Sequence, residues 1–216
     1  MITPLSELLS GLLDAVLPPH EDVRRARAVS AQELDALLSP HAAGAQWVTA
    51  LFPYRDPRIR AIVRAVKYHG EKKALAPAAA MLGEYIFEAV SEKKLLSGWQ
   101  RPLIVPMPAS PRRMRERGYN QAERILEAAL PLLGNAAEFS SRALAREDRE
   151  SQVSVERSKR NENIRNAFYV PDVSLVSGRF VILVDDVVES GSTLSDARRA
   201  LKASGAKSVI AIALAH

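Results

Sequence analysis

Cysteine is absent from the 216-residue sequence. Its absence excludes disulfide bonds and zinc sites that are made of thiolates. The apolar stretch at residues 1–18 carries Glu7 and Asp14 and has no basic leader. We therefore expect neither a secretory signal nor a membrane span in this stretch, and we expect a cytoplasmic protein with no membrane partner.

Several patterns that are typical of enzymes are missing as well. The sequence has no Ser–His–Asp set, no Walker loop and no glycine-rich dinucleotide fingerprint. Its histidines show no metal-ligand spacing, which indicates incidental surface positions for His20, His41, His69 and His216. Repeats and low-complexity tracts are also absent. The length suits one domain, either alone or with a small appendage.

The formal net charge of +5 is a first positive indication of function. A basic protein favours polyanionic partners, which are either nucleic acid or a phosphate-rich small molecule. The total charge does not separate these two classes, but many arginines are concentrated in residues 109–118, ASPRRMRERG. Because this segment follows the short apolar run Leu103–Val105, we predict a basic loop at the end of a strand.

Apolar runs and amphipathic segments alternate along most of the chain. The predicted strands are residues 47–54, 103–105, 139–144, 180–184 and 208–214. Predicted helices connect most of them, which indicates an α/β fold with a parallel sheet and flanking helices. Residues 145–165 are polar and predict a long mobile lid, after which residues 166–170 predict an edge strand.

The stretch Phe180–Leu194, FVILVDDVVESGSTL, combines a strand, acids and a loop. Phe180–Val184 is apolar and rich in β-branched residues, which is typical of a strand buried on both faces of a parallel sheet. Asp185 and Asp186 follow where this strand leaves the core. Next comes Ser190–Thr193, a hydroxyl-rich loop that contains glycine and leads into a helical pattern.

Each part of this stretch suits one part of a ribose 5-phosphate. Backbone N–H groups in the loop and at the helix N-terminus would form an anion cradle at Ser190, Gly191, Ser192 and Thr193. The paired carboxylates of Asp185 and Asp186 would bind the sugar hydroxyls, with a hard divalent cation nearby. The alternative interpretation is a buried strand and a capped helix with incidental acids.

Residues Val181–Thr193 resemble the phosphoribosyl pyrophosphate (PRPP) signature of type I phosphoribosyltransferases. That signature is a hydrophobic run, Asp-Asp, two hydrophobic residues and Thr-Thr-Gly-x-Thr. The resemblance places the 5-phosphate at residues 189–193. Glu189 stands where the family has a small residue, and Ser190 replaces the second Thr. A carboxylate beside a phosphate is unfavourable unless it is paired or points outward, so the orientation of Glu189 stays open.

Further motifs extend the resemblance from about residue 50 to the last residue. They are Tyr54–Pro57, Lys67–Gly70, Val105–Pro108, Arg115–Gln121, Arg160–Asn163 and Ala167–Phe168. In this order they resemble the ComF family of phosphoribosyltransferase-like proteins, which is named for a role in competence, the uptake of DNA. Such proteins usually carry an N-terminal zinc knuckle of paired cysteines. Here Glu21 and Arg24 replace the first pair, so metal binding of that kind is lost.

The resemblance implies a type I phosphoribosyltransferase fold with three parts. Residues 1–46 would form a helical appendage, residues 47–98 a hood that selects the acceptor, and residues 99–216 the core. PRPP and pyrophosphate would be the ligands and Mg²⁺ the cofactor. Asp185 and Asp186 would be the catalytic pair and would hold the Mg²⁺ indirectly.

The resemblance also implies a pyrophosphate site after the strand that ends at Pro108. Its contacts would come from Ala109, Ser110, Arg113 and Arg117, since guanidinium groups match phosphate oxygens well. Arg112 and Arg115 are further candidates, although an arginine run is also typical of a solvated face. Lys159 and Arg160 would act from the lid.

Our leading hypothesis is transfer of a phosphoribosyl group from PRPP to a nitrogen acceptor, with release of pyrophosphate. No motif identifies the acceptor. The alternative is a non-catalytic PRPP sensor or a DNA-uptake accessory protein, and a third hypothesis is direct binding of single-stranded DNA along the arginine segment. A homodimer is left open.

Overall fold

The computed structural model describes residues 19–97, 101–147 and 167–216, and a six-stranded sheet lies at its centre. The described strands are β1 (His41–Ala42), β2 (Val48–Phe52), β3 (Leu103–Pro106), β4 (Glu138–Phe139), β5 (Ala145–Arg146), β6 (Phe168–Tyr169), β7 (Phe180–Val187) and β8 (Ser208–Ala215). The sheet order is β1-β2-β8-β7-β3-β4. Within this sheet only the β1–β2 pair is antiparallel.

Helices cover both faces of this sheet. The described α-helices are α1 (Glu21–Arg27), α2 (Ala31–Leu37), α3 (Pro57–His69), α4 (Ala76–Ser97), α5 (Pro111–Arg117), α6 (Gln121–Leu133) and α7 (Ser192–Ala203). Local sequence signals explain their ends: α3, for example, starts after the capping residue Asp56 and stops at Gly70, which has a φ of 63°. None of the helices in the described ranges is long and apolar enough to cross a membrane.

Strand β7 is central because both of its faces are apolar. Ile182 and Val184 pack into one core with helices α1 to α4 and α6. Val181 and Leu183 point to the opposite face and pack into a second core with α7. The helix–sheet–helix layering and the mostly parallel strands confirm the predicted α/β class.

The basic segment that we predicted as a loop is largely the helix α5. Ser110 caps this helix by accepting a hydrogen bond from the Arg113 N–H at 3.3 Å, and Pro111 occupies the first helical turn. Gly118 then ends it in the left-handed conformation. The loop prediction was wrong because this start signal and this stop signal outweigh the lack of an apolar stripe.

The predicted strand at residues 139–144 was also wrong in its extent. Only Glu138–Phe139 pairs in the main sheet, beside β3. Ala145–Arg146 instead pairs antiparallel with Phe168–Tyr169 in a separate two-stranded ribbon. The predicted strand near residues 166–170 is confirmed in that ribbon. The lid itself, apart from its first residues, lies outside the described residues.

The segment that we expected to form the hood contributes to the central sheet. Its strand β2 pairs in parallel with β8, with Ala50 opposite Ala213. Residues of α3 and α4 pack in the same core as β7 and α6. The division into appendage, hood and core stays a prediction, and the apolar stretch at residues 1–18 lies outside the described residues.

Candidate functional site

The two acids of the central stretch lie at the carboxyl end of β7. This strand continues past Val184, its predicted end, because it keeps pairing with β8 as far as Val187 and Ala215. Asp185 and Asp186 are consequently held by the sheet, and both keep partial exposure to solvent. They occupy the edge of a parallel sheet at which ligands usually bind.

Short hydrogen bonds orient both carboxylates. Asp185 Oδ1 accepts a hydrogen bond from the Asp186 N–H at 2.9 Å, and Asp186 Oδ1 accepts one from the Val187 N–H at 2.9 Å. Each carboxylate therefore uses one oxygen to contact the next residue of its own strand.

Burial raises the pKa of the Asp185 carboxyl well above its ordinary value, and the charge of Asp186 and a hydrogen bond between the two side chains raise it further. The Asp186 N–H and the charge of Arg113 lower the same pKa. Two crowded carboxyls of this kind are relieved by a cation or by hydroxyl donors. The oxygen donor set therefore fits Mg²⁺ and sugar hydroxyls.

The loop after β7 leads into the N-terminus of α7, where the Ser192 N–H donates only a long hydrogen bond of 3.5 Å to Ser190 Oγ. Gly191 precedes α7 in the left-handed conformation, with a φ of 70°, and makes no side-chain capping hydrogen bond. Ser190 Oγ and Ser192 Oγ lie 2.8 Å apart, so the two hydroxyls orient each other. Thr193 is partly exposed in the first turn of α7. Backbone N–H groups at such an end attract anions.

Glu189 has an exposed side chain at the start of this loop. Within the described residues it makes no hydrogen bond and no ion pair. It therefore does not hold the loop in place through a contact with another described residue.

The arginine helix α5 follows β3, which pairs directly with β7 and places Pro106 opposite Val184. Strand pairing thus puts the segment with the predicted pyrophosphate contacts after the strand that neighbours β7, which carries the predicted sugar contacts. Ala109, at the turn before α5, is partly exposed.

The other arginines of α5 have different surroundings. Arg112 Nε lies 2.7 Å from Glu116 Oε1 in an exposed ion pair. Arg117 has its guanidinium carbon 5.5 Å from the centre of the Tyr68 ring, and its buried Nη1 has no hydrogen-bond partner among the described residues. The predicted lid contacts Lys159 and Arg160 lie outside the described residues.

Sequence reasoning missed Asp196, a buried acid on α7. Its Oδ2 accepts a hydrogen bond from the Ala167 N–H at 3.0 Å, and its other oxygen pairs with Arg199. Asp196 therefore ties Ala167, just before β6, to α7, the helix that follows the hydroxyl loop. Local spacing gave no signal that Asp196 is buried. It lies only one residue from the apolar position Ala197, and its place in the sequence is typical of a surface acid.

Comparison with protein families gives a match for the part of the chain that contains the acid pair. Residues 125–216 match the family described as "Phosphoribosyl transferase domain". This range contains β7, the acid pair, the hydroxyl loop and α7, so this part of the chain is similar to a phosphoribosyl transferase domain.

Individual curated proteins give a more specific comparison than the family does. The chain is 31% identical over 133 residues to the DNA utilization protein YhgH of Salmonella typhimurium and 30% identical over 133 residues to that of Escherichia coli K12. Each alignment covers 61% of this chain, and the chain spans 57% of the length of these relatives. These matches confirm the resemblance to the ComF family that the motifs indicated.

Two solved structures also show some similarity to this chain. One is an allosteric regulatory enzyme of purine biosynthesis, and the other is the glutamine PRPP amidotransferase of B. subtilis in complex with ADP and GMP. Their TM-scores are 0.39 and 0.38, each at 16% sequence identity. Each match covers 69% of this chain and 30% of the other chain.

Proposed function

We propose that this protein is a Mg²⁺-dependent phosphoribosyltransferase that binds PRPP, transfers its phosphoribosyl group to a nitrogen acceptor and releases pyrophosphate. The proposal depends most on one observation, which is that the acid pair ends β7 just before the hydroxyl loop and α7, while the arginine helix α5 follows the neighbouring strand β3. PRPP carries hydroxyls between two phosphorylated ends. The carboxylates complement the hydroxyls, and the guanidinium and the helix N-terminus complement the two phosphorylated ends.

Each group of the site has a role in this proposal. The N-terminus of α7 and the hydroxyls of Ser190 and Ser192 bind the 5-phosphate. Asp185 and Asp186 accept hydrogen bonds from the ribose hydroxyls and hold Mg²⁺, which supplies charge neutralisation at the pyrophosphate when it is bound. Arg113 neutralises the leaving pyrophosphate through charge-assisted hydrogen bonds.

The remaining predicted contacts complete the pyrophosphate end of the site. Ala109 and Ser110 offer backbone groups where the chain turns from β3 into α5, and Arg117 adds positive charge from the last turn of α5. Lys159 and Arg160, which lie outside the described residues, stay predicted contacts of the ligand. No covalent nucleophile is required, because positioning and electrostatic stabilisation of the leaving group account for the chemistry.

Release of pyrophosphate from PRPP tests this function directly. The assay combines the full chain, PRPP and Mg²⁺ with a panel of nucleobases and amines. We expect release with at least one acceptor and loss of release in the Asp185→Asn/Asp186→Asn variant. Asp172→Asn is the matched control, since Asp172 is an exposed acid that caps a short 3₁₀ helix. Equal activity in the wild type and the double variant would refute the assignment of the site.

A second candidate is a non-catalytic PRPP sensor or a DNA-uptake accessory protein. Two observations favour this candidate. Glu189 departs from the PRPP signature, and the similar curated proteins carry the name DNA utilization protein. It predicts calorimetric binding of Mg²⁺·PRPP together with no pyrophosphate release from any acceptor in the panel. Binding with release supports the enzyme instead.

Direct binding of single-stranded DNA is a third candidate. It draws on the exposed guanidinium groups of Arg112, Arg113 and Arg115 on α5. It predicts a DNA affinity that falls steeply with salt concentration, because each phosphate contact releases a counterion. An affinity that does not change with salt would eliminate this candidate.

A further inference from the structure

Two histidines and an acid meet where the start of α1 faces the end of α3. His20, Asp22 and His69 each offer one ligand atom, and these three atoms lie within 4.8 Å of one another. His20 Nδ1 is 3.5 Å from Asp22 Oδ2. The His20 and His69 rings stack with their centres 4.6 Å apart. Within the described ranges, this is the cluster in which three metal-ligand side chains converge.

Packing of α1 against α3 creates this cluster. His20 caps α1, Asp22 lies in its first turn, and His69 is the last residue of α3. Val23 of α1 is buried in the same core as Val66 of α3, which holds the two helices in contact. The three side chains therefore converge on a frame that is already ordered by apolar packing.

Additional ion pairs fix the same junction on either side. Arg64 Nε lies 3.2 Å from Asp22 Oδ2, and Arg27 pairs with Glu71 at 2.8 Å. Asp22 Oδ2 thus faces both the imidazole of His20 and the guanidinium of Arg64.

We propose that His20, Asp22 and His69 form a binding site for a divalent transition-metal ion of the Zn²⁺ class. Imidazole nitrogens with one carboxylate are the donors such ions prefer, and three protein ligands leave a position for water. Zinc–ligand bonds of about 2.0–2.2 Å put adjacent ligand atoms of a tetrahedron roughly 3.3–3.5 Å apart. The distance of 3.5 Å between His20 Nδ1 and Asp22 Oδ2 already meets this requirement.

To complete the site, the stacked imidazoles have to rotate so that their ligand nitrogens point at one ion. Both histidine side chains are exposed, so rotation of either ring meets little resistance from packing. If Nδ1 of His20 ligates the ion, it gives up the hydrogen bond that it accepts from the Asp22 N–H, which is long at 3.3 Å. The competing arrangement is a metal-free surface cluster in which stacking and the Arg64–Asp22 ion pair satisfy the three side chains.

Zinc titration of the untagged full chain separates these two arrangements. The buffer contains excess Mg²⁺, and the background is Asp185→Asn/Asp186→Asn, so that the acid pair of β7 does not contribute. We expect one equivalent of Zn²⁺ to bind by calorimetry, and the Co²⁺ adduct to show the visible spectrum of a tetrahedral site. Replacing a ligand, as in His69→Gln or Asp22→Asn, should weaken Zn²⁺ binding by roughly tenfold or more.

The His41/His216 pair provides a matched control. These rings lie 5.7 Å apart and have no third ligand in the described part of the chain. The variant His41→Gln/His216→Gln should bind Zn²⁺ as the parent does, whereas His20→Gln/His69→Gln should lose the site. Equal losses in both double variants, or no stoichiometric binding by the parent, would overturn the proposal.

Arg64→Gln gives an independent result of opposite sign. Removing this cation frees Asp22 and lowers the local positive charge, so Zn²⁺ should bind roughly two- to fivefold more tightly. Weaker binding in Arg64→Gln, with the thermal stability of the protein unchanged, would contradict the proposed role of Asp22 as a ligand.

Discussion

The charge of Arg113 on α5 lowers the pKa of the Asp185 carboxyl at the end of β7, against the larger effects of burial and of Asp186, which raise it. The two residues belong to segments that follow neighbouring parallel strands, β3 and β7. This relationship joins the predicted pyrophosphate contact to the predicted sugar contacts at one edge of the sheet.

Arg113→Gln should weaken Mg²⁺·PRPP binding by about ten- to a hundredfold. The reason is that a hydrogen bond to a charged phosphate contributes roughly 1.5–3 kcal/mol. Calorimetry measures the change. Arg112→Gln is the matched control, because Arg112 is on the same helix but forms an exposed ion pair with Glu116. An equal loss in both variants would indicate a general effect of charge instead of a contact.

Asp185→Asn should increase the free energy of unfolding at neutral pH, on the order of 1 kcal/mol, while it removes PRPP binding. Burial and Asp186 raise the pKa of Asp185 in the folded protein, so the folded state holds its proton to higher pH than the unfolded state does. The related stability is fully present below the ordinary carboxyl pKa and is lost as pH rises through the raised pKa.

Urea unfolding from pH 4 to pH 8 measures this effect. The wild type should lose stability relative to Asp185→Asn as the pH rises through that window. Hydrogen bonds from Ser174 lower the pKa of the Asp172 carboxyl. Asp172→Asn should therefore be less stable than the wild type at neutral pH, and this difference in stability should disappear only at acidic pH. Parallel pH profiles for the wild type and Asp185→Asn would contradict the raised pKa.

Glu189→Thr restores the residue type of the PRPP signature and should change PRPP affinity by less than about threefold. The side chain is exposed, and the effect of an exposed charge is largely screened at physiological ionic strength. Calorimetry at low and high salt checks this expectation. A much larger gain that persists at high salt would show that the carboxylate turns toward the phosphate.

Asp196→Ala should destabilise the protein by about 1–3 kcal/mol, because it leaves the Ala167 N–H without its acceptor in a buried environment. Chemical denaturation measures the loss. Arg199→Ala removes the exposed partner of Asp196 and should cost less than about 1 kcal/mol. If the two variants are equally unstable, the ion pair and not the buried hydrogen bond is the main contribution.

Local sequence predicted the strand that leads to the acid pair and the start of the helix that follows it. The apolar run before Asp185 predicts a strand buried on both faces, and it forms one. Gly191 and the serines beside it predict the start of a helix, and α7 begins there. These predictions succeeded because side-chain periodicity and the left-handed freedom of glycine act within a few residues.

Which distant residues meet depends on how the helices and strands pack. Arg113 was one of two arginines predicted to contact pyrophosphate, and only the pairing of β3 with β7 makes its helix follow the strand next to Asp185. His20 and His69 showed no ligand spacing because their helices converge only after the core packs. Asp196 looked like a surface acid until Ala167 returned to it. Such contacts depend on packing between elements that are far apart in the chain, and local sequence does not encode the distance between them.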